Sequence, residues 1–416
     1  MNSLRDIFTI WVCKGIYKLM RIRGSHGAAL PGLVAEKINP GLIKKLTKLP
    51  EGIIVVSGTN GKTTTTHLLA KSLQQMGKKV FTNHSGSNMT RGILASIVRF
   101  SDMRGALNYD IAVLEVDEAY AAKLAPLMKP RAAILTNVLR DQLDRFGEID
   151  HTARLLSRLA ECCSEVVVYS ASDSRLRAIP DVLKSARAVS YGFNKQLVAH
   201  FPDDDSLYST DNRDLPDKLD YALLSADELN CEIVSKSGSR KLDRSRLPGW
   251  HNVLNLTAVY ALLSELYGSL EAQLFDGLRP PYGRGEISTI GDTQLTLQLV
   301  KNPSGFRTAM EVEPDSPALI IINDNIADGR DVSWLWDVDV DAFSGRKSVA
   351  TSGSRAYDMA VRLHYSDIEP LFVETDIKLA LERFISENKS GVVFLTYTAM
   401  LQSRKLIKSI DKGVNL

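Results

Sequence analysis

Cysteine is scarce in this chain of 416 residues, and its distribution excludes two common uses of the residue. Four cysteines are present: Cys13, Cys162, Cys163 and Cys231. Two are adjacent and two are isolated, so their spacing fits neither a zinc site nor a disulfide framework. We therefore expect no structural zinc. We also expect thiols that pack as small apolar side chains in a reducing compartment, the cytoplasm.

An excess of charge of one sign is also absent. The formal net charge is +2, and no dense run of lysine and arginine occurs. This balance gives no reason to expect a nucleic-acid partner. The hydrophobic fraction of 44% and the charged fraction of 24% are those of an ordinary globular protein. The length predicts about two or three domains.

Long apolar runs are missing as well, so the sequence predicts neither a membrane-spanning helix nor a signal peptide. Residues 7–20 are mostly apolar, but Lys14 and Lys18 interrupt them. This spacing predicts an amphipathic helix. Two interpretations stay open: the helix packs on the main body, or it lies on a membrane surface. We accordingly predict a cytoplasmic protein, with peripheral contact at the inner face of the membrane as the second interpretation.

What the sequence does contain is a phosphate-binding pattern. A buried-strand run precedes a loop bounded by Gly58 and Gly61, and a helix is predicted from Lys62. The glycines let backbone N–H groups face phosphate oxygens, and the helix N-terminus adds its positive dipole end. Lys62 is expected at the β- and γ-phosphates and Thr63 at Mg²⁺. The predicted ATP contacts of this segment are Gly58, Thr59, Asn60, Gly61, Lys62, Thr63 and Thr64. The alternative is a polar turn that caps a helix.

Strand-like and helix-like segments alternate along most of the chain, which predicts an α/β fold with a parallel sheet and helices on both faces. We predict an N-terminal helix and glycine-rich loop at 1–45 and a central ATP-binding domain at 46–288. A peripheral β-rich insertion is predicted at about 188–247 within the central domain. A smaller, Rossmann-like α/β domain is predicted at 289–416.

Polar residues follow two of the predicted strands. Glu115 ends the strand that begins at residue 111, and with Thr63 it is expected to hold Mg²⁺ on ATP. Asp117 and Glu118 are neighbouring candidates, and a helix N-cap is an equal alternative for Asp117. The next strand is followed by four candidates for a substrate or metal site: Asn137, Arg140, Asp141 and Asp144. A salt-bridged surface is the alternative for these four.

A further polar group lies at the predicted start of a later helix. His251, Asn252 and Asn255 are expected to contact the adenine edge or the ribose of ATP. Because asparagine at a helix start is often only a cap, that alternative stays open. Arg284 follows in a turn-rich segment between the predicted domains. It is expected to contact the γ-phosphate when the domains close.

Together these segments resemble the Mur ligase superfamily of ATP-dependent amide-bond synthetases. The resemblance rests on the loop at 58–63, Glu115, the strand end at 136–144 and the helix start at 251–255. Residues 323–337, with 141–147, 282–286, 301–303 and 397–401, resemble more narrowly the MurT family, the ligase subunits of lipid II isoglutaminyl synthases. The resemblance spans nearly the whole chain.

Two departures from ordinary Mur ligases support the narrower resemblance. Those enzymes place a histidine that binds a second Mg²⁺ where this chain has Gln142, and a carbamoylated lysine near Ser157 and Arg158. The lack of both ligands fits ammonia better than an amino acid as nucleophile. One departure runs the other way: several MurT proteins carry a four-cysteine zinc ribbon in the central domain, which the isolated Cys231 cannot build, so we predict no structural zinc.

The resemblance implies a reaction and a partner. ATP would phosphorylate the α-carboxylate of D-glutamate in the lipid II stem peptide, and ammonia would convert the acyl phosphate to D-isoglutamine. The ammonia would come from a GatD-type class I glutaminase subunit in a heterodimer. In the family an aspartate of the C-terminal domain is thought to complete the partner's Cys-His pair. Asp328 is our first candidate and Asp331 the second. The alternative is that both residues merely cap turns.

Two other functions remain open from the sequence. The first is a stand-alone ligase of the Mur or folylpolyglutamate type that adds an amino acid. The second is a non-catalytic ATP-binding scaffold for a glutaminase.

Overall fold

The fold is taken from a computed structural model that describes residues 3–22, 29–83, 88–139, 149–201, 214–281 and 283–411. Three of the four candidates for the substrate or metal site, Arg140, Asp141 and Asp144, lie outside the described residues, as does Gln142. Two β-sheets, each covered by helices, organise the chain. Among the described residues, no helix is both long and apolar enough to cross a bilayer.

Within the described ranges, the first sheet has nine strands in the order β2-β3-β1-β4-β5-β6-β7-β8-β9. Neighbouring strands from β2 to β7 are parallel, and β7, β8 and β9 pair antiparallel. Strands β1, β3, β4 and β5 are buried along their whole length, as expected for a parallel sheet covered on both faces. The strands are β1 Ile53–Ser57, β2 Val80–Thr82, β3 Ile111–Glu115, β4 Ala132–Leu135, β5 Val166–Ser170, β6 Arg187–Phe193, β7 Tyr221–Ala226, β8 Asn230–Ser235 and β9 Gly238–Asp243.

Helices cover both faces of this sheet, each over a separate apolar core. Helices α3 and α8 pack on one face. Helices α1, α2, α4, α5 and α6 contribute to the core on the other face. The helices of this unit are α1 Leu4–Ile22, α2 Ala29–Ile38, α3 Lys62–Gln75, α4 Thr90–Phe100, α5 Glu118–Met128, α6 Ile149–Glu161, α7 Ile179–Val182 and α8 Trp250–Tyr267.

The second sheet, as far as the structure describes the chain, has six strands in the order β10-β11-β15-β12-β13-β14. Only the β10–β11 pair is antiparallel among these strands. The strands are β10 Arg284–Ile290, β11 Thr293–Leu299, β12 Ala318–Ile321, β13 Val349–Ser352, β14 Val373–Glu374 and β15 Ser390–Leu395. The helices are α9 Pro303–Met310, α10 Ala356–His364, α11 Ile377–Glu387 and α12 Tyr397–Asp411. The predicted fold class, a parallel-rich α/β unit followed by a smaller α/β unit, is confirmed.

The structure adds detail to the sequence prediction in two segments. The strands within 188–247, predicted as a peripheral β-rich insertion, extend one edge of the first sheet through parallel β6–β7 pairing. The glycine-rich segment near residue 30 is partly helical, because α2 begins at Ala29. Gly32 lies within α2, where a Cβ atom would be 2.0 Å from the Arg91 carbonyl oxygen of α4. The absent side chain lets these helices approach closely. The limits proposed for the domains stay a prediction, and β10 already belongs to the second sheet.

Candidate active site

The register of three strands brings the candidate residues to one edge of the first sheet. Strand β1 lies between β3 and β4, with Val56 opposite Glu115 and Ser57 opposite Leu135. All three strands run parallel, so their carboxyl ends meet. Ligands of open α/β sheets bind at this edge. The segment that follows β1, residues 58–63, is called the phosphate loop below.

Two glycines give the phosphate loop its shape. Gly58 and Gly61 have φ angles of 128° and 85°, a region that other residues rarely adopt. A Cβ atom on Gly61 would lie 2.6 Å from Asn255 Oδ1, and one on Gly58 would lie 2.3 Å from Thr136 Oγ1. Both sites therefore require glycine for conformation and for space.

The residues that follow β4 hold the phosphate loop in place. The Thr59 amide donates to the Asn137 carbonyl oxygen and the Asn60 amide to Asn137 Oδ1, both at 2.9 Å. Asn137 Nδ2 donates to the Asn60 carbonyl oxygen at 3.2 Å, and Thr136 Oγ1 donates to the same oxygen at 2.7 Å. We predicted Asn137 on the substrate side. In the structure both ends of its amide bind the loop, so we now propose that it positions the loop.

Lys62 is held by its own loop and by α5. Its Nζ donates to the carbonyl oxygens of Gly58 and Thr59 and lies 3.1 Å from Glu118 Oε1. The Lys62 and Glu118 side chains are 9% and 4% exposed, so this ion pair is almost fully buried. A buried ammonium needs such partners, because desolvation without them is costly. The sequence pattern identified Lys62 and made Glu118 a candidate beside the Mg²⁺ site, but it did not predict the ion pair between them.

Thr63, the residue after Lys62, forms an oxygen-rich pair with Glu115. Thr63 Oγ1 donates to Glu115 Oε1 at 3.0 Å, and Glu115 is buried. The Asn83 side chain binds both the N–H and the carbonyl oxygen of Glu115, which fixes the strand end. A hydroxyl and a carboxylate are the donors that Mg²⁺ prefers, so this pair fits the predicted ion. Asp117 occupies the N-cap position of α5, but its side chain makes no capping hydrogen bond there.

A cavity of about 500 Å³ adjoins the phosphate loop and reaches the second unit. Its volume lies within the range of small-molecule sites. The first unit contributes Asn60, Gly61, Thr64, Thr136, Asn137, Phe193, His200, Phe201, His251 and Asn255, among others. The second unit contributes Arg284, Gln298, Leu299, Lys301, Gly305, Thr308 and Ala309. The units also touch directly, because Asn302 Nδ2 donates to Asn60 Oδ1 at 3.3 Å.

The three candidates at the start of α8 have different surroundings in the structure. His251 and Asn255 line the cavity. Asn252 does not: its Nδ2 donates to the carbonyl oxygens of Pro248 at 2.6 Å and of Arg284 at 3.3 Å. Asn252 therefore ties the helix start to the first residue of β10. Its assignment as an ATP contact stays a prediction that these bonds do not support.

The His251 imidazole is electrostatically constrained. Burial lowers its pKa to about 4, and the nearby positive charges of Arg284 and Arg244 act in the same direction. The ring is thus neutral at physiological pH. Its Nδ1 is buried and has no hydrogen-bond partner among the described residues. An unsatisfied buried nitrogen at a cavity wall fits a site whose ligand supplies the missing partner.

Arg284 lies at the cavity wall between the two units. Burial lowers the pKa of its guanidinium group, although the negative charge of Glu115 opposes this shift. No hydrogen bond or ion pair of this group occurs among the described residues. A half-buried cation near the Thr63–Glu115 pair fits a phosphate-bearing ligand.

Asp328 and Asp331 lie in the second unit, on the loop after β12. Asp328 Oδ1 accepts from the Thr398 amide at 2.7 Å. Its Oδ2 accepts from the Thr398 hydroxyl and from the Asn325 amide, the latter at 3.1 Å. Asp331 is exposed, and its Oδ1 accepts from the Ser333 amide at 2.8 Å. This hydrogen bond lowers the pKa of Asp331. Asp328 thus joins its loop to the start of α12, whereas Asp331 caps a local turn.

Sequence reasoning missed several residues of the cavity. Four aromatic side chains form two stacked pairs at or beside its wall, Phe193 with Phe201 at 4.2 Å and His200 with Trp250 at 4.1 Å between ring centroids. Lys301 appears in the sequence pattern only as the first residue of 301–303. Its place on the cavity wall depends on how the two units pack, which local patterns do not report.

Comparison with known proteins agrees with this architecture. The family model described as Mur ligase middle domain matches residues 56–263, and the one described as MurT ligase C-terminal matches residues 299–400. The MurT subunit of lipid II isoglutaminyl synthase (glutamine-hydrolyzing) from Streptococcus pneumoniae is 30% identical, over 93% of this chain and 94% of that protein. The chain belongs to the MurT family.

Two further similarities concern the sequence and the fold. The MurT subunit from Staphylococcus aureus strain COL is 28% identical, over 99% of this chain and the whole of that protein. The crystal structure of MurF ligase from Thermotoga maritima in complex with ADP has a TM-score of 0.68. It is 15% identical in sequence, over 92% of this chain and 84% of that chain, so it shows the shared fold alone. This member of the MurT family is an ATP-dependent ligase of the Mur type.

Proposed function

We propose that the chain is the ligase subunit of a lipid II isoglutaminyl synthase. In this proposal it amidates the α-carboxylate of D-glutamate in the lipid II stem peptide, with ATP and ammonia as co-substrates. The observation that carries the proposal is the similarity over nearly the full length to two MurT subunits that bear this name. The cavity between the phosphate loop and the second unit provides a site of suitable size.

The charges of the site support a specific placement of ATP. The phosphates would lie on the phosphate loop, with Lys62 and Arg284 as the cations that contact them. The base or ribose would lie near His251 and Asn255, beside the stacked Phe193 and Phe201 rings. Thr63 and Glu115 would hold Mg²⁺, which neutralises charge on the phosphates when it is bound.

The proposed chemistry proceeds in two balanced steps. The carboxylate oxygen attacks the γ-phosphorus of ATP, ADP leaves, and an acyl phosphate forms. Ammonia then attacks the carbonyl carbon, and the C–O bond to phosphate breaks as the C–N bond forms. The attacking nitrogen loses one proton, and the products are the amide and inorganic phosphate. A carboxylate alone lacks a leaving group, so the first step makes the second feasible.

The cysteines of this chain are poorly suited to act as a glutaminase nucleophile. A partner is therefore needed if glutamine is the nitrogen donor. Burial raises the pKa of the Cys13 thiol to about 11 and the pKa values of Cys163 and Cys231 to about 12. Burial and the charge of Glu161 also raise the pKa of Cys162. A glutaminase nucleophile requires a thiolate at neutral pH. We therefore propose a separate glutaminase subunit of the GatD type as the source of ammonia.

The test measures the nitrogen source directly. The chain alone, with lipid II, ATP and Mg²⁺, should form the amide with high ammonium chloride and should form nothing with glutamine. Addition of the glutaminase subunit should restore activity with glutamine. Product formation with an amino acid in place of ammonia would favour the stand-alone ligase. ATP turnover that does not depend on lipid II, without amide formation, would favour the scaffold.

The Mg²⁺ assignment predicts a second result. Thr63→Ala and Glu115→Ala should each weaken Mg·ATP binding, because the first removes the hydroxyl ligand and the second removes the carboxylate. The loss should be partly recovered at high Mg²⁺. Nucleotide titrations at several Mg²⁺ concentrations measure this effect. Thr63→Ser keeps the hydroxyl and is the matched control. ATP affinity that does not respond to Mg²⁺ in either variant would contradict the assignment.

A further inference from the structure

Helix α1 has an open apolar face. Five large apolar side chains on it are between 54% and 87% exposed: Leu4, Phe8, Trp11, Leu19 and Ile22. Their spacings of four, three, eight and three residues place them along one side of the helix. Thr9, Ile10 and Cys13 are buried on the other side, where the helix packs in the core with α2 and α4. The helix therefore both packs on the body and leaves a second apolar face uncovered within the described chain.

A basic row borders this open face. Lys14, Lys18 and Arg21 follow one another at spacings of four and three residues. With Tyr17 and Ile22 they line a shallow cleft of about 450 Å³. Arg99 of α4 lies near Tyr17 and adds positive charge to the same region. Basic side chains beside apolar and aromatic ones are typical of helices at membrane interfaces.

The nearby carboxylates are engaged elsewhere. Asp6, the one acidic residue in the sequence of α1, accepts from Asn39 Nδ2 at 2.8 Å and faces Lys45. Asp102 accepts the backbone amides of Arg104 and Ala106 at 2.8 and 2.7 Å. The open face thus combines an apolar stripe with a row of basic side chains along one edge, of which Lys14 also donates from its Nζ to the Ser101 carbonyl oxygen at 2.6 Å.

We propose that this face of α1 binds the surface of an anionic lipid bilayer. The apolar stripe would enter the boundary between headgroups and acyl chains, and the basic row would contact lipid phosphates. A second copy of the chain is a poorer occupant. It would bring the basic rows of both helices into one interface without acidic residues of α1 to pair them.

The position of α1 connects the membrane contact with the candidate active site. The role of this connection rests on the proposed function. Helix α1 packs with α4, which begins at Thr90. The nearby Asn88 carbonyl oxygen accepts the Asp117 amide at 2.9 Å, two residues from Glu115. One helix thus links the open face to the proposed metal side of the site. Membrane contact would keep the ligase at the surface that carries its lipid-linked substrate.

Vesicle binding tests the contact without any enzyme assay. The wild-type chain should sediment with phosphatidylglycerol-rich vesicles, and binding should weaken at high salt. Phe8→Glu combined with Leu19→Glu should reduce the binding constant by roughly tenfold or more, since two apolar side chains leave the interface. Leu229→Glu combined with Lys241→Gln, on an exposed hairpin of the first sheet, lowers the net charge by the same amount; it is the matched control and should bind normally. Equal binding by both double variants would overturn the proposal.

Trp11 provides an internal reporter of insertion. Brominated lipids should quench part of the fluorescence of the wild-type chain, which has four tryptophans. Trp11→Phe should remove that quenching and still bind, because an aromatic side chain remains. Quenching that persists in Trp11→Phe, or sedimentation without quenching in the wild type, would exclude insertion of this face.

Two further measurements separate this inference from its alternatives. A dimer that the Phe8→Glu, Leu19→Glu variant splits, without vesicle binding by the wild type, would assign the face to a second copy. In amidation assays this variant should lose activity on lipid II in vesicles and keep it on a stem peptide without the lipid. If neither substrate is amidated by the wild type while vesicle binding holds, the proposed function is wrong and the membrane contact stands.

Discussion

Lys62→Ala is expected to lower the rate of ATP-dependent amidation by about a hundredfold or more, as for loss of one electrostatic stabiliser of a transition state. The ammonium is the cation that the phosphate loop itself supplies, and it already lies among the loop carbonyl oxygens of Gly58 and Thr59. Phosphate oxygens of ATP would take over these contacts. Steady-state rates with ammonium chloride as nitrogen source measure the loss without any dependence on the partner.

The buried pair with Glu118 requires a control for folding. Removing Lys62 alone leaves the Glu118 carboxylate buried without this partner, which destabilises a protein by several kcal/mol in typical cases (about 3–5). Lys62→Met combined with Glu118→Gln removes both charges at similar volume and should restore the melting temperature but not the activity. Lys71→Ala, at an exposed position of α3, should be neutral. Near-normal amidation by the Lys62 variants would refute the phosphate-loop assignment.

The sequence predicted the phosphate loop and the parallel strands because both have local signatures. Buried strands such as β1 and β3 are short apolar runs, and the loop has glycines at fixed offsets before a helix. Glu115 was found because it ends such a run. These features depend on residues that are close together in the sequence, so they can be predicted from local sequence patterns.

The remaining features depend on contacts between distant segments. No local sequence pattern within 188–247 predicts that β6 and β7 pair in parallel and extend the first sheet. The position of Asn137 after a strand led to its prediction as a substrate-side residue. In the structure its side-chain amide binds Asn60, 77 residues away in sequence. Asn252 likewise binds the Arg284 carbonyl oxygen. Polar side chains at strand and helix ends can serve a ligand or a loop, and only the tertiary arrangement decides between them.

The second large effect is expected from Asp328→Asn in the complex with the glutaminase. If Asp328 reaches the partner's histidine, it orients the imidazole and stabilises its protonated form. Its position suits that role, because three hydrogen bonds from Thr398 and Asn325 hold the carboxylate in place. A carboxylate accepts about four hydrogen bonds, so capacity for one more remains. Glutamine-driven amidation should then fall by orders of magnitude.

The same hydrogen bonds are also consistent with a purely structural role for Asp328. Amidation assays with glutamine and with ammonia distinguish that role from one in the partner's catalytic triad. An asparagine cannot accept through its Nδ2, so the variant loses part of the link to α12 in either case. A role in the partner's triad predicts that ammonia-driven amidation, ATP binding and assembly of the complex stay nearly intact. Thr398→Val weakens the link but keeps the carboxylate, and should keep most glutamine-driven activity. Equal loss with glutamine and ammonia would place Asp328 in folding or in the ligase site. Loss confined to Asp331→Asn would move the role to that residue, because it alone would then couple the second unit to glutamine hydrolysis.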